Sequence, residues 1–103
     1  MRVIAIKNIR EFCVRHPRAA PSLKAWVEEA RNSTWKTPQY IKTRYSSASF
    51  LGRNRVVFNI KGNDYRLVVA VAYQFEAVYI KFIGTHEQYD AIDAQTIEME
   101  LPK

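Results

Sequence analysis

The chain has 103 residues, of which 48% are hydrophobic, 13% aromatic and 25% charged; this composition excludes an intrinsically disordered chain or a fibrous repeat. Its length fits one domain, residues 1–103, with a core that buries roughly 60 to 70% of the surface exposed by the unfolded chain. The net charge of +6 is unevenly spread, with 13 Lys/Arg against 3 Asp/Glu in residues 1–61 and 3 against 7 in residues 62–103, which suits either a basic surface for a polyanion or a solvated basic helical layer.

In chain order, residues 2–6 are a short strand candidate, with Val3, Ile4 and Ile6 supplying β-branched bulk. The period then changes. Ile9, Phe12, Cys13 and His16 fall on one helical stripe that Pro17 stops. Pro21 suits a first helical position, and Leu23, Trp26, Val27 and Ala30 repeat the stripe, so the two segments read as an αα-hairpin. Thr37-Pro38 looks like a cap and first-turn proline for a short helix through Tyr45, and Ser46 to Ser49 read as a loop.

The stretch VVFNIKGNDYRLVVAVAYQFEAVYIKFIG predicts three consecutive antiparallel strands over residues 55–60, 65–73 and 77–84. Lys61 to Asp64 and Gln74 to Glu76 supply the turns. Both faces of the second strand are apolar, which places it centrally, with the helices covering one face of the sheet. A further helix is expected over residues 88–97.

Chemistry concentrates at the ends of this meander. Arg66 begins an otherwise apolar strand, where packing does not explain a long cation; a guanidinium fork suits two oxygens of a phosphodiester. Lys61 stands across the same turn. In FIGTHEQYD, His86 and Tyr89 emerge where the last strand leaves the sheet. Imidazole, with a free pKa of about 6.5, gives or takes a proton near neutrality, and a phenol donates a hydrogen bond to developing charge. A histidine there also suits turn capping. Lys81, alone among Tyr79, Ile80, Phe82 and Ile83, is either a further contact or a snorkelling side chain.

Rival chemistries find little support. The three glycines are isolated, so no phosphate-cradling loop is present in the sequence, and one cysteine with two histidines offers no metal-ligand set. Cys13 is expected to be buried and inert, and His16 to pack or cap a turn. Trp26 is assigned to the core; Trp35, Tyr40 and Tyr45 suit either core or base stacking, with core favoured. No run approaches the ~18 apolar residues of a membrane span, and the first six residues are too short for a signal-peptide core, so a cytoplasmic location without membrane contact is expected.

Taken together, strand, helical hairpin and meander, with VVFNIKGNDYRLVV followed by YIKFIGTHEQYD, resemble the HigB group of the RelE-like toxins. The resemblance covers nearly the whole chain and is most specific from Arg55 to Asp90. It implies an α+β, RelE-like fold and a toxin of a type II toxin-antitoxin system: an endoribonuclease that cleaves mRNA on the ribosome through the RNA 2′-hydroxyl, without metal or other cofactor. The partner it implies is a HigA-like helix-turn-helix antitoxin, with operator DNA reached only through the complex. By position Arg66 would hold the scissile phosphate, with Lys61, His86 and Tyr89 as the other catalytic residues. Lys42, Arg44, Arg53, Arg55 and Lys81 are the candidates for holding RNA. The alternative is a non-catalytic RNA- or protein-binding module of the same fold.

Overall fold

The computed structural model describes residues 1–99. Its elements are β1 (Arg2–Ile4), α1 (Ile6–Arg15), α2 (Ala20–Arg31), α3 (Pro38–Arg44), β2 (Ser49–Leu51), β3 (Arg55–Ile60), β4 (Tyr65–Ala72), β5 (Ala77–Thr85) and α4 (His86–Asp90). The strands form one sheet in the order β1-β5-β4-β3-β2, with β1 parallel to β5 and every other pair antiparallel. This is the expected α+β arrangement, and the most apolar strand, β4, lies in the middle.

Local chemistry explains where the elements begin and end. Ala5 adopts φ +71°, which turns the chain out of β1 so that α1 starts at Ile6 rather than continuing a strand to that residue. His16 stops α1 ahead of Pro17, and its ring stacks on Phe12 at 4.3 Å, the packed role expected of it. Residues Gly52 to Arg55 form a tight turn with Arg53 and Asn54 at φ +62° and +57°. Two adjacent left-handed residues match the twist of the flanking strands. That turn adds β2 as an edge strand, in a segment whose serines and small residues carry no clear strand period in the sequence.

The sheet has two covered faces. Against one lie α1, α2 and Ile41 of α3, packed on Val56, Phe58, Ile60, Leu67, Val69 and Val71. Four aromatic rings meet there: Phe58 lies 5.3 Å from Trp26, 6.2 Å from Trp35 and 5.1 Å from Tyr45, so Trp35 and Tyr45 serve the core. Burial raises the Tyr45 hydroxyl well above its ordinary pKa, and a hydrogen bond and the charge of Glu29 raise it further.

Contrary to the expectation of one covered face, the other is closed by α4 and the segment after it. Tyr89, Ile92, Ala94 and Ile97 pack over Val57, Val68 and Phe82. The expected helix over 88–97 is thus a five-residue helix followed by turns. Thr85 and Gln88 form a capping box that starts α4 earlier, at His86. The Asp93 carboxylate accepts from the Gln95 backbone N–H and favours a turn over continued helix.

The register of β5 slips by one between its pairings with Val68 and Val69, leaving Lys81 as the extra residue. Ile80 and Ile83 consequently both reach the helical side, although they are three residues apart. Lys81 reaches the Glu98 carboxylate at 2.8 Å.

Arg55 is 4% exposed. It donates to the carbonyls of Ala94 and Ile97 and pairs with Glu98, so it pins the C-terminal segment to the sheet. The hydrogen bond from Lys81, aided by Arg55, holds the Glu98 carboxyl below its ordinary value of 4.5. A carboxylate with a depressed folded pKa stabilises the fold above its unfolded pKa, and that contribution disappears as pH falls through the folded value. Glu98→Gln should therefore differ from the parent chain in urea stability near pH 7, and the difference should close as pH drops below about 4. A gap that stays constant into acid would show that the ion pairs do not hold this segment.

Candidate active site

The end of the sheet that carries the Lys61–Asp64 turn is assembled by strand pairing. Ile60 pairs with Tyr65 and Tyr65 with Thr85, which sets the turn beside the start of α4. The His86 backbone N–H donates to the Asp64 carbonyl at 3.1 Å and locks the two together. Lys61 and Gly62 take φ +52° and +65° to make the turn, a conformation that suits glycine at the second position.

Arg66 is paired with Asn59 on one side and Gly84 on the other. It lies two residues from Val68, so it belongs to the face covered by α4. Its Nη1 donates to the carbonyls of Asn63 at 2.9 Å and Tyr65 at 3.2 Å. Its guanidinium carbon sits 5.9 Å from the centre of the Tyr89 ring. These contacts orient the fork while leaving it partly accessible.

His86 and Tyr89 are three residues apart on α4 and share one side of it. The imidazole is half exposed, with Nδ1 3.1 Å from the Asp90 carboxylate. A carboxylate on Nδ1 fixes the ring and leaves Nε2 to exchange a proton. Lys61 reaches Asp64 at 3.5 Å. Arg66 and Tyr89 therefore meet at one end of the sheet, with His86 on the same helix; Lys61 lies at the same end, on the turn that α4 is bonded to, but borders a recess lined by Trp26, Arg44 and Tyr45. The arrangement of Arg66, Tyr89 and His86 can grip an oxyanion and move a proton beside it.

Sequence reasoning missed three residues here. Asp90 orients His86, and its i+4 spacing within the quoted FIGTHEQYD was the available signal. Asp64 holds Lys61 by its side chain and α4 by its carbonyl; nothing in the sequence separates it from an ordinary turn aspartate. Gly84 faces Arg66 across the strands, and a Cβ there would meet the Phe82 ring at 2.5 Å and Gln88 Oε1 at 2.9 Å. Because Gln88 also caps α4 through the Thr85 N–H, Gly84→Ala should displace both ring and cap and cost about 1–3 kcal/mol in thermal or urea unfolding. A neutral Gly84→Ala would mean the ring moves aside freely.

The expected RNA-holding cations do not gather with Arg66. Arg55 is a correction: it lies beneath the C-terminal segment with its donors already used, because a buried guanidinium must satisfy its N–H groups internally. Arg53 is exposed on the β2–β3 turn, at the opposite end of the sheet from Arg66, about 20 Å away along the strands. The Lys42 ammonium donates to the carbonyls of Ser46 and Ala48 and closes the end of α3. Arg44 pairs with Glu29 at 2.7 Å over the Tyr45 ring, on the helical face. Lys81 is committed to Glu98.

Among the described residues no three His, Cys, Asp or Glu side chains are grouped to hold a metal ion, and no helix is long and apolar enough to cross a membrane.

A helical layer on a mixed five-stranded sheet is consistent with a RelE-like fold. The chain belongs to the HigB toxin family, the RelE-like toxic component of a toxin-antitoxin system, whose family model matches residues 19–92. It is 27% identical over 97 residues to the mRNA interferase toxin HigB of Escherichia coli (strain K12), covering 91% of this chain and 92% of the relative. A second relative, the mRNA interferase HigB of Escherichia coli O6:H1, is 22% identical over 94 residues, covering 89% of this chain and 91% of its own length. The matched span contains Lys61, Arg66, His86 and Tyr89.

Proposed function

We propose that this chain is the toxin of a toxin-antitoxin pair and acts as an mRNA interferase, an endoribonuclease that cuts messenger RNA. Its 103 residues act as one domain in the cytoplasm. The observation that carries the reading is the placement of Arg66 against Tyr89, on the helix that also bears His86. Family membership and the names of the two relatives support the same activity.

The chemistry follows from what RNA already contains. The 2′-hydroxyl oxygen attacks the adjacent phosphorus, the bond to the 5′-oxygen breaks, and a 2′,3′-cyclic phosphate and a free 5′-hydroxyl result; DNA lacks the nucleophile. His86 Nε2 takes the 2′-hydroxyl proton, and Asp90 stabilises the imidazolium that forms. Arg66 grips two non-bridging oxygens and offsets the charge that grows on them in the transition state. Tyr89, against the Arg66 guanidinium, donates a proton to the leaving oxygen, and Lys61 adds positive charge at the same end. The route requires no metal from the protein.

In this reading the mRNA is presented on the ribosome, where exposed cations such as Arg53 contact ribosomal RNA at a distance from the cut, and a HigA-like helix-turn-helix antitoxin neutralises the toxin and carries the complex to operator DNA. The test is induction of the chain and of His86→Ala in a bacterium, with growth followed and mRNA 5′ ends mapped. The expected result is growth arrest with new 5′ ends inside translated codons, both lost in a folded His86→Ala protein. Arrest without new ends would overturn the assignment and leave a binding module in its place, whereas equal cleavage by both chains would remove His86 from the mechanism.

A further inference from the structure

An open groove lies away from the proposed active site, on the outside of the helical layer. It has a volume of about 540 Å³ and runs along the seam between α1 and α2. Ile9 and Val27 form a buried apolar floor, Cys13 is half buried in its wall, and Val14 stands 79% exposed at its edge. Sequence expectation placed Cys13 inside the core; the open seam is why it is not. Arg10, Lys24 and Arg31 rim the groove against a single acid, Glu28.

We propose that this groove is the docking site for the antitoxin, which lays into it an amphipathic helix with an acidic flank. The proposal rests on the toxin-antitoxin reading above and adds the surface that the partner takes. The groove walls are helices of 10 and 12 residues, about 15–18 Å long, the length of a three-turn helix. A third helix placed there would cover Val14 and complete the apolar contact in the way amphipathic helices fill hydrophobic grooves. The three rim cations select acidic side chains along its edge. A second copy of this chain fits less well, because a two-fold contact sets each rim cation against a positively charged rim. Nucleic acid fits less well too, since its phosphates would leave the apolar floor uncovered.

The experiment uses the full chain and a HigA-like helix-turn-helix antitoxin, the partner of the reading above. Val14→Asp places a carboxylate where the partner's apolar face would lie, at a position too exposed to affect folding. It should arrest growth like the parent yet bind the antitoxin at least about tenfold more weakly, and escape neutralisation. Arg10→Glu/Lys24→Glu should weaken binding comparably, and added salt should weaken the parent complex but change the double variant less. The unsubstituted chain supplies an independent probe, because Cys13 is its single cysteine: maleimide labelling of that thiol should slow at least about tenfold in the complex. Val14→Asp bound and neutralised like the parent, or Cys13 labelled equally fast with and without antitoxin, would overturn the groove assignment while leaving the toxin reading intact. A dimer of the chain alone that Val14→Asp abolishes would overturn it in favour of self-association. A parent chain that arrests no growth and binds no antitoxin would instead remove the toxin reading, and this docking site with it.

Discussion

Arg66→Ala should cut mRNA about 100- to 1000-fold more slowly than the parent chain, the equivalent of roughly 3–4 kcal/mol of lost transition-state stabilisation. Arg66 emerges between Asn59 and Gly84, with its Nη1 anchored on two carbonyls and its plane near Tyr89. Those anchors aim the guanidinium before any substrate arrives, so little is spent on ordering it during the reaction. Arg66→Lys keeps the charge but lacks the planar fork and should recover only part of the rate. Because the carbonyls it serves lie near solvent, neither change should alter the melting temperature appreciably. Cleavage by Arg66→Ala at more than a tenth of the parent rate would remove the residue from the mechanism, whatever its effect on growth.

Phe58→Ala should lower stability by about 3–5 kcal/mol in urea unfolding. The ring is 1% exposed at the point where Trp26, Trp35 and Tyr45 converge between β3 and the helical layer. Its removal opens a cavity bounded by three large, interlocked aromatic rings that cannot easily collapse into it. For a domain whose total stability is about 5–15 kcal/mol, that loss brings the chain near the unfolding threshold. Phe58→Leu conserves more of the volume and should cost less than about 1.5 kcal/mol. A loss below about 1 kcal/mol for the alanine variant would mean that the aromatic cluster is not the keystone of the helical layer. Phe58 points to the opposite face from Arg66, so the surviving folded fraction should retain its cleavage rate per molecule.

The two proposed functional surfaces are separated by the sheet and its layers. The proposed cleavage cluster occupies one end of the sheet, on the face closed by α4, whereas the groove proposed for the antitoxin lies on the far side of α1 and α2. On the same face as the cleavage cluster, Arg55 and Glu98 tie the C-terminal segment down over Val57, Val68 and Phe82. Two cations that the sequence offered for RNA, Arg55 and Lys81, are instead converted into structure by one carboxylate, Glu98.

Local signals alone determined the α+β class, the three strands of the meander and both long helices, because apolar periodicity reports which face of each element must leave water. The same local reading marked Arg66 and His86, since a charge or a histidine at the end of an apolar strand has no packing explanation nearby. It had no access to what pairs across the chain. Whether Arg55 reaches solvent depends on carbonyls 39 and 42 residues away. The edge strand β2 exists because β3 offers it a partner, and the second sheet face closes because a tail with weak helical period finds an apolar surface to cover. Likewise Cys13 lies on a helical stripe, but only the spacing of α1 and α2 decided that the stripe borders an open groove. Burial and ion pairing are properties of what surrounds a side chain, and those surroundings are set by tertiary contacts that no window of neighbouring residues contains.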